Sequence, residues 1–277
     1  MNRFLLGVLI VCAVVFALAP RYARAADKFI TLASTTSVDN SGLLKHILPL
    51  FKQASGIDVH VVALGTGQAL DTARRGDADL VLVHDPDAEA KFMNEGHGIT
   101  RREIAWNDFV IVGPGADPAK IKGGGRDVIA AFKAIWSAQA PFVSRGDQSG
   151  TDTLEKRLWK AADLDITKAG PWYKDIGGGM GAALNAAAGM DAYTLSDRGT
   201  WLSFENRRDL AIVLEGDPRL LNRYDVIELN PKLHPQAKLD LAKQFADWLA
   251  SPPGQKAIGE YEMSGQKLFH PEADSKP

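Results

Sequence analysis

The sequence predicts an α/β protein of two lobes with a cleft between them. Three observations carry that expectation. Short β-branched or apolar runs alternate with helical patterns along most of the chain, which argues for a parallel sheet with helices on both faces. Two strand-like runs, "DFVIVGP" (108–114) and "YDVIELN" (224–230), bracket the middle third. Lying side by side, they would make that third an inserted second lobe and leave both chain ends in the first. The chain also opens on an export-type leader, so the fold reading starts after it.

The elements follow in order. "FITLA" (29–33) reads as a buried strand, and "SGLLKHILPLFKQAS" (41–55) carries a helical stripe of Leu43, Leu44, Ile47, Leu48 and Phe51. Pro49 argues against an unbroken helix there. "IDVHVVAL" and "ADLVLVH" read as strands, each followed by a helix, "GQALDTARRG" and "DAEAKFMNEGHG". "AWNDFVIVGP" is a strand, "GRDVIAAFKAIWSA" a helix, "PFVS" a strand, and "GTDTLEKRLWKAAD" a helix. Then come the helix "GGMGAALNAAAGM", the strands "AYTLS", "DLAIVLEG" and "YDVIELN", and a C-terminal helical stretch broken at Pro252-Pro253.

The leader "MNRFLLGVLIVCAVVFALAPRYARA" has Arg3, an apolar run to about Pro20, and a small-x-small site at Ala23-Arg24-Ala25. It reads as a signal peptide over 1–25, cleaved near Ala25, in a protein bound for the periplasm. The only cysteine, Cys12, falls inside it, and no small residue precedes that cysteine as a lipidation site would ask. The mature chain then has no disulfide, thiolate metal site or cysteine nucleophile. Cleavage leaves 252 of 277 residues and, by removing Arg3, Arg21 and Arg24, takes the net charge from −2 to −5. A mildly acidic surface argues against nucleic acid. It leaves room for a small anion, because a local cluster of donors outweighs a diffuse field.

Three segments share one design, a strand, a tight turn rich in hydroxyls and glycine, and a helix. They are "STTS" (34–37), "GTG" (65–67) and "SRGDQSGT" (144–151). A helix start offers unpaired backbone N–H groups and partial positive charge, small residues allow close approach, and hydroxyls add donors. Anions bind at such places. Two turns from one lobe and one from the other could surround a single anion. Arg145 adds a permanently charged fork of donors, and Asp147 could hold that fork in place.

Each turn also has a bland reading. "STTS" could be a β-turn with one capping hydroxyl, "GTG" a plain strand-to-helix turn, and Ser149 an N-cap beside a surface ion pair. Gly177–Gly179 is either a loop or a fourth backbone approach to the ligand, and Gly123–Gly125 a turn. In "TLSDRGTW", Ser196 or Asp197 would cap a helix with Trp201 inward, and Arg198 would be either a second ligand arginine or, more often, the partner of Asp197 or another acid. "VHDPD" at His84 reads as a hydrogen-bonded turn, with a weaker metal or catalytic reading. The six histidines lack metal-ligand spacing, and there is no nucleophile elbow, P-loop or nucleophile–base pair. The expectation is no catalytic residue, no cofactor and no bound metal cation.

The motifs "LASTTSVDNSGLL", "VALGTGQAL", "GDADLVLVHDP", "SRGDQSGT" and "YTLSDRGTW", in this order over nearly all of the mature chain, resemble those of the tungstate-binding proteins of tungstate ABC transporters, the TupA family. The arginine loop is more loosely similar to that of periplasmic phosphate-binding proteins. The resemblance implies a type II periplasmic-binding-protein fold, two mixed-sheet lobes flanked by helices and joined by two hinge strands. The lobes would be 26–112 with 226–277, and 113–225. It implies an anion held by hydroxyls and amides of Thr35, Thr36, Ser37, Thr66, Ser144, Arg145, Ser149, Gly150 and Thr151. It further implies a monomer that delivers tungstate or molybdate to a membrane permease. Ser34 stands where the family commonly has threonine, a mild departure. Gly178 stands where the fourth loop usually has glutamine.

Protonation would select the ligand. Tungstate and molybdate are full dianions near neutral pH and only accept hydrogen bonds, whereas phosphate there keeps a proton and asks for an acceptor. A donor-only pocket favours the former, and Asp147 decides the matter by facing Arg145 or the ligand. Two alternatives stand beside this reading. One is the same fold binding molybdate, sulfate or phosphate; the other is an exported hydrolase of phosphate or sulfate esters, which turnover of generic esters would reveal.

Overall fold

The computed structural model describes residues 28–263 and 265–272. The expected signal peptide, with Cys12, lies outside the described residues.

The chain starts with β1 (Phe29–Thr35), the short α1 (Thr36–Asn40) and α2 (Leu43–Ser55). Helix α2 is unbroken through Pro49. Pro49 lies on the exposed face, so the Lys45 carbonyl that it leaves without a donor can turn to water. The opposite face buries Leu43, Leu44, Ile47 and Phe51. Strands β2 (Asp58–Leu64) and β3 (Leu80–Val83) flank β1 on either side, both parallel to it. Helix α3 (Thr66–Arg74) connects them, and α4 (Pro86–Asn94) follows β3. This is the parallel, helix-covered sheet that the alternation predicts.

The next strand departs from the expectation. β4 (Gly98–Pro114) is 17 residues long. The chain then runs through α5 (Val128–Ala138), β5 (Phe142–Ser144), α6 (Gly150–Ala161), β6 (Tyr173–Asp175), α7 (Met180–Met190), β7 (Thr194–Asp197), α8 (Arg198–Ser203) and β8 (Leu210–Leu214). It returns as β9 (Leu221–Leu229). Over Gly98–Asp108, β4 pairs antiparallel with β9; from Phe109 to Pro114 it pairs with β7 and β8. The runs 108–114 and 224–230 therefore do not lie side by side. It is the upstream part of β4 that meets β9, because one strand serves both halves in turn. The sheet is mixed for the same reason: strands that carry the chain out and back must run antiparallel.

The chain closes with α9 (Leu239–Ala250), α10 (Pro252–Gly259), the small pair β10 (Glu262–Met263) and β11 (Gln266–Lys267), and β12 (His270–Pro271). β12 pairs with β4, giving the order β12-β4-β9-β3-β1-β2.

Separate cores back the two halves. Ile30, Leu32, Leu44, Ile47, Phe51, Phe245, Leu249 and Phe269 share one, and both chain ends contribute to it. Phe132, Phe142, Trp159 and Tyr193 anchor another, where Trp159 packs on Phe132 and Phe142 with ring centroids 4.3 and 5.2 Å apart. Such tilted aromatic pairs add about 0.5–1.5 kcal/mol each beyond their buried area.

Candidate functional site

The parallel strands of the first half end at one level. Thr35 sits opposite Leu64, and Ser34 opposite Leu82. The turns that follow, Thr36–Ser37, Gly65–Thr66 and His84, therefore open at one carboxyl edge. That is the edge where open α/β sheets bind ligands.

At the first corner the four hydroxyls divide their work. Ser34 is fully buried and donates to the Leu82 carbonyl at 2.8 Å, tying β1 to β3. Thr35 caps α1 by accepting from Val38 N–H at 3.2 Å. Thr36 and Ser37 are exposed at the helix start, and Ser37 Oγ lies 2.9 Å from Thr35 Oγ1. His84 closes this group. Its Nε2 is 2.8 Å from Ser37 Oγ and 3.1 Å from Thr35 Oγ1, and its Nδ1 is 3.0 Å from Asn222 Oδ1. Behind it, buried Asn222 donates to Asn107 Oδ1 at 2.8 Å and to Tyr224 Oη at 2.7 Å. Beyond the hydrogen-bonded turn expected there, His84 links the corner to the strand pair β4–β9.

The second corner has Gly65 as N-cap of α3, with no side-chain cap. Among the described residues, Thr66 makes no side-chain hydrogen bond, and its hydroxyl remains available.

The third corner follows β5. Arg145 donates from Nε and Nη2 to Asp147 Oδ2, at 3.1 and 2.5 Å, and from Nη1 to Thr151 Oγ1 at 3.4 Å. Asp147 thus faces Arg145, and its second oxygen accepts from Ser149 N–H at 3.2 Å. Burial works against the Asp147 charge, but the bonds from Arg145 and Ser149 outweigh it and hold the carboxyl below the usual range. Ser149 caps α6 by accepting from Asp152 N–H at 3.3 Å. Gly146 and Gln148 take left-handed backbone, with φ of 62° and 59°. Buried Asp152 holds this contour, taking Gly146 N–H and Gln148 N–H at 3.1 Å each and Lys156 Nζ at 2.7 Å. Ser144 is fully buried, its hydroxyl 3.5 Å from Asp152 Oδ1, beneath the loop rather than on its face.

Asp152 escaped the sequence reading, although "SGTD" carries the Ser-x-x-Asp pattern of a helix start. The glycine run packs on the same loop: Gly178 N–H donates to the Arg145 carbonyl at 2.8 Å, and Ile176 N–H to that of Ser144 at 3.2 Å. Helix α7 then begins at Gly179 with no side-chain cap.

The first and third corners meet. A methyl group on Gly150, the first residue of α6, would stand 3.5 Å from His84 Cε1. Beside them Arg157 of α6 reaches Asp85 at 3.3 Å and Asp87 at 2.8 Å, both at the start of α4. Arg198 is not part of this group. It is held by Asp108 at 2.6 Å and Glu215 at 2.5 Å, bonds that raise its pKa above the ordinary arginine value. Its partners are thus other acids than Asp197. Asp197 instead caps α8 through Thr200, and Trp201 is buried.

Separate cores in the two halves, strand ends opening on a shared edge, and donor-rich turns meeting across it define a type II periplasmic binding protein. Residues 20–253 match the PBP superfamily domain. The tungstate-binding protein TupA of Peptoclostridium acidaminophilum is 44% identical over 247 residues, 88% of this chain and 86% of that protein. The structure of the tungstate-binding protein TupA from Desulfovibrio alaskensis G20 has a TM-score of 0.84 and 43% identity, covering 89% of this chain and 100% of that one. The structure described as the tungstate ABC transporter from Geobacter sulfurreducens has a TM-score of 0.74 and 43% identity, covering 85% and 100%. The chain belongs to the PBP superfamily and, within it, to the family of the TupA tungstate-binding proteins.

Proposed function

We propose that this protein captures tungstate as a fully deprotonated tetrahedral dianion and delivers it to the permease of an ABC transporter. The observation that carries the reading is the pairing of Asp147 with Arg145 and Ser149 N–H. It spends the loop's carboxylate inside the loop. What remains for a ligand is the guanidinium, hydroxyls and backbone N–H groups, a set suited to an anion with no proton to give.

The ligand set in this proposal is Thr35, Thr36, Ser37, Thr66, Arg145, Ser149, Gly150 and Thr151, with Ser144 supporting the loop from below. The lobes in this proposal are 26–112 with 226–277, and 113–225; β4 changes partners between Asp108 and Phe109, a few residues before the first of these bounds. Closure desolvates the anion, so each charge-assisted bond counts more fully. The contacts of the loaded site then favour the closed form. The protein acts as an exported monomer, freed of its signal peptide in the periplasm, and catalyses no reaction.

Calorimetric titration with tungstate, molybdate, sulfate and phosphate tests the proposal. Tight one-to-one tungstate binding with little phosphate binding is expected. Phosphate binding as tight as tungstate binding would overturn the donor-only account, and turnover of generic esters would overturn the binding role.

A further inference from the structure

His84 stands where two corners meet, and the ligand set leaves it without a role. Its hydrogen bonds can be assigned from what its neighbours can offer. Asn222 uses its Nδ2 on Asn107 and Tyr224, so its Oδ1 faces the ring and can only accept. Nδ1 of His84 therefore carries a proton. In the neutral ring Nε2 is then an acceptor, and it takes a hydroxyl proton from the Thr35–Ser37 pair. Two hydroxyls own two protons. One is donated to the ring, and the other is shared between the neighbouring hydroxyl, 2.9 Å away, and a ligand. A doubly protonated ring reverses the bond at Nε2. It donates to a hydroxyl oxygen, the hydroxyl proton formerly given to the ring is freed, and a positive charge stands behind the pair.

Resting on the oxyanion reading of the site, we propose that His84 is a positioning residue that takes up one proton from solvent when a dianion binds. The captured proton frees one more hydroxyl donor for the anion and supplies part of its countercharge.

The groups around the ring fit this behaviour. Thr35 and Ser37 face Nε2, Asn222 faces Nδ1, and the Tyr224 ring packs at 5.0 Å between centroids. Gly150 of α6 lies over Cε1. The acids whose charge pulls most on the ring are Asp85 and Asp197. Asp85 is engaged by Arg157, and Asp197 by Thr200. Desolvation lowers the ring's pKa below the ordinary histidine value, against the opposing pull of Asn222, Asp85 and Asp197. The unloaded ring is thus neutral near pH 7. A dianion against the adjacent hydroxyls adds the missing attraction for a proton.

The test is calorimetric titration of the full protein with sodium tungstate in two buffers of different ionisation enthalpy. The expected result is proton uptake approaching about one per anion, with affinity falling as pH rises by up to about tenfold per unit. His84→Gln should bind more weakly, with no uptake and a flat pH profile. Tight binding with heats independent of buffer would overturn the proton coupling and leave the anion reading standing. No binding of tungstate, molybdate, sulfate or phosphate would overturn the anion reading itself. Uptake that persists in His84→Gln would place the proton elsewhere and overturn the role of His84. If that variant does not fold, the imidazole 15N shifts of the unaltered protein decide. Movement of His84 Nε2 to its protonated position on loading is expected, and no movement would overturn the proposal.

Discussion

Asp147 Oδ2 accepts two bonds from the Arg145 guanidinium, from Nε and from Nη2, while Asp147 Oδ1 accepts from Ser149 N–H. The carboxylate thereby orients the arginine and cancels none of its outward donors beyond those two. Arg145→Ala should cost about 2–5 kcal/mol of anion binding, the range for removing one member of a desolvated charge pair. Calorimetry checks it, and an affinity within twofold of the unaltered protein would show that Arg145 is not a ligand. Arg145→Lys should recover only part of the loss, since a point charge replaces a fork.

Asp152 shapes the loop from beneath it. Asp152→Ala leaves the Gly146 and Gln148 N–H groups without their acceptor, at about 1–3 kcal/mol for each that stays buried and unpaired. Urea denaturation should register the loss of stability, and anion affinity should fall with it. Unchanged stability would mean that the loop holds its shape by other means.

Gly146 meets the carboxylate of Asp175, and a methyl group there would overlap it. With φ at 62°, Gly146→Ala carries a backbone cost of about 1–2 kcal/mol before any clash. Gly177→Ala is the control: its φ is 60°, but nothing lies within 4 Å of the added methyl. The first variant should lose clearly more stability and binding than the second. Equal losses would reduce Gly146 to a matter of backbone angle alone.

Glu155 sits under the same loop, 2% exposed, accepting from Trp159 Nε1 at 3.0 Å and Tyr173 Oη at 2.8 Å. Burial, with a smaller push from the Asp152 charge, outweighs its hydrogen bonds and raises its carboxyl to about 7. The folded state then holds a proton between about 4.5 and 7 that the unfolded chain has released. Stability from this group is complete below that window and is lost as pH rises through it, about 3 kcal/mol in all. Denaturation midpoints at several pH values should show this slope, and Glu155→Gln should flatten it. An unchanged slope in the variant would assign it to another group.

The alternation of elements and the three donor corners were legible because they are local. Each is a run of residue types with a spacing, readable without knowing what lies opposite. The upstream half of β4 was not. It contains Arg101, Arg102 and Glu103, which resemble a solvated turn in sequence. In the fold, Arg101 pairs with Asp225 and Arg102 with Glu228, each at 2.9 Å across the β4–β9 ladder. Charges matched by a strand about 125 residues away have no local signature. The same holds for His84, whose key partner Asn222 is 138 residues distant. Asp152 is the opposite case, a local motif read only as far as its cap.

The 17-residue strand β4 bears on how the molecule comes apart. One backbone segment belongs to both sheets, and it changes partners between Asp108 and Phe109. Within β4 the two ladders abut with no slack between them. Denaturation should therefore proceed as a single cooperative event in both halves, and in the closure proposed above the torsion would fall on a few peptide units at that switch.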